Sequence, residues 1–145
     1  MLDDTVFIRE VALAYKGRAH AISLPIDNAD SAAIFLKKLI GGETREHFVA
    51  VYTDTRICPI GFQIVSIGSA NSSLVHPREV FQPAVHLGAC GILVGHNHPS
   101  GNSKPSVEDR KITSRLVSAG LLLGIRLIDH VVIGDPDFYS FCSAE

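Results

Sequence analysis

Residues 91–109, Gly91-Ile92-Leu93-Val94-Gly95-His96-Asn97-His98-Pro99-Ser100-Gly101-Asn102-Ser103-Lys104-Pro105-Ser106-Val107-Glu108-Asp109, bear on fold and chemistry at once. The first five form a short apolar run and read as a strand. Side chains two apart on a strand share a face, so His96 and His98 can bind one ion together. Pro99 disfavours continuing the ladder and Gly101-Asn102 supplies turn chemistry, so the chain leaves the strand just after the pair. Ser106, with Pro105 ahead of it and an acid three residues later, reads as the N-cap of a helix with Val107, Ile112, Leu116 and Ala119 as a rough apolar stripe. That helix brings Asp109 back toward the histidines. Three N/O ligands then converge and leave a fourth tetrahedral position for water. A His-x-His pair or a capping acid alone is commonplace without metal; their combination in one segment points to a mononuclear site.

This donor set favours Zn2+, one per chain, over the mostly oxygen-ligated Mg2+ and Ca2+, although iron and manganese also fit. Zinc lowers the pKa of its water to about 7 and polarises a carbonyl, which makes hydrolysis the natural reaction class. Such chemistry needs a general base. Glu108, at the second helical position, is expected to face elsewhere, so the base should come from another strand.

His96, His98, Ser106 and Asp109 fit the pattern His-x-His, seven residues, Ser-x-x-Asp without a gap. In this the chain resembles the JAMM/MPN (JAB domain) metalloprotease superfamily. Asn97 between the histidines, Pro99-Ser100-Gly101 after them, Pro77-Arg78-Glu79-Val80 upstream and Leu127-Ile128-Asp129-His130-Val131-Val132-Ile133-Gly134 downstream resemble its RadC-like branch. The resemblance runs from about Asn28 to Phe141, and the first 20 or so residues match no pattern. It implies a glutamate on an early strand as general base, and the matching position is Glu46 in Arg45-Glu46-His47-Phe48-Val49-Ala50-Val51-Tyr52-Thr53-Asp54. The residues alone would not choose Glu46 over Glu43. In the role the resemblance implies, Glu46 takes a proton from water and passes it to the leaving amine, while Ser106 helps stabilise the tetrahedral oxyanion.

A pass along the chain yields alternating elements. Val6 to Tyr15 reads as a strand, weakened by Arg9-Glu10. Asn28 or Asp30 caps a helix carrying Ile34, Phe35, Leu36, Leu39 and Ile40, ended by Gly41-Gly42. Phe48 to Thr53 and Gly61 to Ile67 form a hairpin. Pro77 opens a helix with Val80, Phe81, Ala84 and Val85 on its apolar face and Gly88 at its end. The Ser106 helix is expected to run to about Ala119 and break at Gly120, and Ile125 to Ile133 forms the last strand. Interleaved elements in so short a chain predict a three-layer α/β/α sandwich, and the hairpin makes its sheet mixed. The resemblance implies the same fold, cytidine-deaminase-like. Zinc deaminase chemistry is not expected, since His-x-Glu and Pro-Cys-x-x-Cys are both missing.

The 145 residues fit a single domain, 1–145, and 46% hydrophobic content supports a real core. On this reading the N-terminal helix-hairpin-helix region that the resemblance implies for longer RadC-like members is not expected. No run approaches 18 apolar residues and no basic-then-apolar leader opens the chain, so a soluble cytoplasmic protein without a membrane partner is expected. Cys58, Cys90 and Cys142 are spaced as buried small apolar residues rather than ligands. His20, His47, His76 and His86 read as ordinary surface or satisfied histidines. His130 is either a second layer around the metal or a buried hydrogen-bonded side chain, and the latter is favoured.

The preferred function is a zinc-dependent hydrolase acting on a peptide or isopeptide bond, with surface loops such as 68–76 and 100–105 gripping the substrate. A DNA-associated role, implied by the naming of RadC-like proteins, has little support: a formal net charge of −2 argues against a broad phosphate-binding surface. Lys104, Arg110, Lys111 and Arg115, interspersed with Glu108 and Asp109, read as a solvated helix face. A catalytically silent metal-binding module is the third reading. The oligomeric state is left open.

Overall fold

The computed structural model describes residues 8–17, 24–68 and 75–144. The described chain forms three helices, α1 (Ala29–Ile40), α2 (Pro77–Leu87) and α3 (Val107–Leu123), and five strands, β1 (His47–Thr53), β2 (Pro59–Ile67), β3 (Gly91–Asn97), β4 (Arg126–Ile133) and β5 (Phe138–Ser140). The strands make one sheet in the order β2-β1-β3-β4-β5. β1 is antiparallel to both β2 and β3, β3 and β4 are parallel and joined through α3, and β5 returns antiparallel to β4. The sheet is mixed, as the hairpin required.

Every residue of β3 is buried, because the strand lies in the middle of the sheet and is covered on both faces. On one face, Phe48, Ala50, Tyr52, Ile92 and Val94 pack against Val80, Phe81 and Ala84 of α2 and Ile112 and Leu116 of α3. On the other, Val49, Val51, Leu93 and Val131 meet Ala32, Ala33, Leu36 and Ile40 of α1. Burial of the Val, Leu, Ile and Phe side chains among these, each contributing about 1.5–3 kcal/mol, makes the α/β/α layering the stable arrangement. Alternation along β3 sends Ile92, Val94 and then His96 to the α3 side, while Leu93 and Gly95 face α1.

Several expectations change on contact with the structure. Residues 8–15 join no ladder among the described residues, and Ile8, Val11 and Tyr15 stand exposed; Val6 and Phe7 lie outside the described residues. Strand propensity is realised only against a partner. Gly120 does not break α3, which continues to Leu123 and is capped by Gly124 in the left-handed region at φ 71°. A Cβ on Gly120 would lie 2.4 Å from the carbonyl oxygen of Ile125, so this glycine serves the close return of the chain into β4. β5, only three residues long, is too short a pattern to stand out in the sequence. Ile34 and Val85, assigned to apolar faces, are exposed, and Cys90 and Cys142 are exposed rather than buried, with Cys58 half-buried. No described helix is long and apolar enough to cross a membrane.

Candidate metal centre

The C-terminal end of β3 opens onto the N-terminus of α3, and the candidate residues meet there. His96, the next-to-last residue of β3, is fully buried, and its ring stacks on Phe48 of β1 with centroids 5.9 Å apart. His98 follows the strand. Its backbone N–H still donates to Ile133 O at 2.8 Å, so the chain keeps the β4 register one residue beyond the ladder. The loop then folds back: Gly101 N–H donates to His98 O, Asp135 N–H donates to Gly101 O, and the carbonyl of Asn102 faces the His98 ring.

At the start of α3, Ser106 is the N-cap. Its hydroxyl oxygen accepts from Asp109 N–H at 3.0 Å, while Asp109 Oδ2 accepts from Ser106 N–H at 2.8 Å. This reciprocal capping box satisfies two of the helix's orphan donors and locks the Asp109 rotamer toward β3. Asp109 is buried in consequence, at 1% exposure. Glu108 turns away and pairs with Lys111 at 3.6 Å, as its helical position requires.

The ligand atoms converge closely. His96 Nε2 lies 3.1 Å from His98 Nε2 and 3.3 Å from Asp109 Oδ1, and His98 Nε2 lies 3.4 Å from Asp109 Oδ2. Glu46, in the loop just before β1, brings Oε1 to 3.7 Å from His96 Nε2 and 3.9 Å from His98 Nε2. These four residues, with one ligand atom from each lying within 4.8 Å of the others, could hold a metal ion.

The chemistry of the donors fits a cation. Nδ1–H of His98 donates to the carbonyl of Asn102 at 2.7 Å; a carbonyl only accepts, so neutral His98 turns the lone pair of Nε2 inward. Ligands 2.0–2.1 Å from a tetrahedral Zn2+ sit about 3.3–3.4 Å from one another, close to the three separations among His96, His98 and Asp109. Glu46 is set wider than that triangle.

The electrostatics agree. Burial opposes the charge on Asp109, but the adjoining His96 and His98 rings and the Ser106 N–H outweigh it and hold the carboxyl far below the usual carboxylate range. The hydrogen bond to Asp109 raises the pKa of His98 against the opposing effect of burial, with Glu46 adding to the rise. The centre favours positive charge.

Two residues matter more than their sequence context indicates. His130 on β4 is fully buried and touches the site: its Nε2 lies 2.8 Å from His96 Nδ1. The hydrogen-bonded structural reading and the reading as a layer around the site therefore describe one side chain. Asn97, between the two histidines, was given no role. Alternation turns it away from them, and its side chain ties down the loop carrying Glu46: Oδ1 accepts from His47 N–H at 2.7 Å, and Nδ2 donates to Arg45 O at 3.0 Å and Glu43 O at 3.3 Å. A buried polar side chain needs partners, and that was the signal available in the sequence.

A groove of about 590 Å³ adjoins His98, bounded by Lys37 and Gly41 of the α1 end, Thr44, Pro99, Gly101 and Gly134. The loop at 100–105 is described, but residues 69–74 of the other expected substrate loop, like His20, lie outside the described residues. Two of the basic side chains near the site are engaged locally, Lys111 with Glu108 and Arg110 over the Phe141 ring at 5.8 Å.

A family model described as the RadC-like JAB domain matches residues 26–145. The chain belongs to the RadC-like JAB domain family. Among curated relatives it is 47% identical over 129 residues to a UPF0758 protein of Bacillus licheniformis, a match covering 89% of this chain and 55% of the relative. It is 44% identical over 128 residues to a UPF0758 protein of a Geobacillus species (88% and 54%), and 42% identical over 132 residues to one of Bacillus cereus (91% and 56%). The chain thus spans about half the length of the relatives it matches, and their names state no activity.

Proposed function

We propose that this domain is a zinc-dependent hydrolase of the JAMM type that cleaves a peptide or isopeptide amide bond. The observation that carries the reading is the difference in spacing within the cluster. The Nε2 atoms of His96 and His98 and the two carboxylate oxygens of Asp109 meet at 3.1–3.4 Å, close to the spacing of ligands on a tetrahedral ion, whereas Glu46 stands 3.7 and 3.9 Å from the two histidines, set back from that group as a proton acceptor rather than a further ligand.

His96, His98 and Asp109 would hold the ion. When bound, zinc supplies Lewis acidity, polarising the scissile carbonyl and making water acidic enough to lose a proton near neutral pH. Glu46 accepts that proton and delivers it to the leaving nitrogen, a transfer its half-buried carboxylate can make without leaving the site. Ser106 keeps its hydroxyl hydrogen for a substrate oxyanion, because its oxygen accepts from Asp109 N–H while the O–H remains available to donate. The groove beside His98 offers room for a substrate chain on one side of the centre.

The test is metal-dependent turnover on peptide and isopeptide substrates. Chelation should abolish hydrolysis and stoichiometric zinc should restore it. Tight, salt-resistant DNA binding with no chelator-sensitive hydrolysis would overturn the reading in favour of a nucleic-acid role.

A further inference from the structure

Thr113 lies one turn into α3 beyond Asp109, and its hydroxyl donates to the Asp109 carbonyl oxygen at 2.8 Å. A hydroxyl has one proton, and this one is spent on the helix backbone. The same oxygen lies 2.6 Å from His130 Nδ1, so there it must accept, and Nδ1 carries the hydrogen. The His130 ring is fully buried, stacked on Phe141 with centroids 4.9 Å apart and met edge-on by Phe48. Burial without a carboxylate hydrogen-bonded to the ring keeps it neutral. Its Nε2 is then a lone pair, and His96 Nδ1, 2.8 Å away, must donate to it. With its hydrogen on Nδ1, neutral His96 presents a lone pair on Nε2, the atom 3.1 Å from His98 Nε2.

We propose that Thr113 and His130 are positioning residues that fix the tautomer and ring plane of His96, so that its Nε2 is committed as a donor to a divalent cation. The relay closes on itself: it begins at the carbonyl of Asp109, whose carboxylate faces the same centre, and ends at His96. His98 obtains the same commitment from a backbone carbonyl, whereas His96, inside the sheet with its neighbouring carbonyls in ladders, relies on a side chain. This inference rests on the metal-binding reading above and specifies how one ligand is prepared for it.

The experiment has two readouts on the intact chain. Long-range proton–nitrogen NMR of metal-free protein reports which ring nitrogen of His96 carries hydrogen; competition with a chromophoric chelator reports affinity for Zn2+. The expected wild-type state is hydrogen on Nδ1. Thr113→Val should let the ring populate the opposite tautomer and weaken zinc binding about 10–100-fold, the range typical for partners of metal ligands. Thr113→Ser should restore both. His130→Gln, whose amide oxygen can accept from His96, should bind zinc more tightly than His130→Leu. Wild-type His96 with its hydrogen on Nε2 overturns the inference, as does a folded Thr113→Val that binds zinc as tightly as wild type. Should wild type bind no zinc, the hydrolase reading falls, while the NMR readout still decides the tautomer. Should His130→Leu fail to fold, the Thr113 pair decides the matter.

Discussion

His96 and His98 are two residues apart and face the same centre, yet two different parts of the molecule hold them. His98 is oriented by its own loop, through a carbonyl four residues further on. His96 is oriented from β4 and α3, by His130 and Thr113. The contrast extends to the acids. Asp109 is placed by a capping box within four residues, whereas Glu46 arrives from a loop about fifty residues upstream, which the Asn97 side chain holds against β3. Local chain geometry delivers the candidate ligands, and long-range packing delivers the groups proposed to tune and use them.

This division can be broken by mutation. The largest effect is expected from the local half: His98→Ala should take zinc content from about one per chain to none, measured by elemental analysis of protein purified without chelator. Equal occupancy in that variant would refute the assignment of the ligands. Glu46→Gln should leave zinc content unchanged and lower turnover by about 10²–10⁴, since proton transfer needs the carboxylate and coordination does not. Zinc lost with it would make Glu46 a ligand and erase the distinction between the two halves.

Ser106→Ala sharpens the comparison, because it touches both halves. As a cap alone, the hydroxyl is worth about 1 kcal/mol, seen in the melting temperature. If it also meets the oxyanion, turnover per folded molecule should fall about a hundredfold while the fold survives. The smallest effect on chemistry is expected from Asn97→Ala. It strands the His47 N–H and two loop carbonyls, costing about 1–3 kcal/mol of stability for a buried unsatisfied group, and should reduce turnover about tenfold by loosening Glu46 with zinc retained. Metal loss on a par with His98→Ala would show that Asn97 supports the ligands instead.

The same division governs what was legible in the sequence. His96, His98 and Asp109 could be placed together because a strand, a turn and a capped helix each have local rules, and all three were obeyed within fourteen residues. The layering followed from the alternation of elements. What lay beyond local rules was not legible. Only a resemblance separated Glu46 from Glu43, because the choice depends on how Asn97 grips the loop. His130 could be seen as buried, but not as a neighbour of His96, because that contact spans 34 residues and depends on the parallel register that sets His96 beside Val132. Gly120 misled for a related reason: a glycine read as a helix breaker answers instead to a carbonyl five residues further on.

The Asp109 carboxylate serves two ends at once: Oδ2 accepts the N–H of the α3 N-cap and also faces His98, while Oδ1 faces His96. With a cation held there, fraying of the first turn of α3 and release of that cation would be coupled events. By mass action, a ligand at a hundred times its dissociation constant stabilises the bound form by about 2.7 kcal/mol, and here that stabilisation would fall on the helix's first turn. Metal availability would act on this domain as a thermostat for one turn of backbone, setting how often the entrance to the centre comes undone.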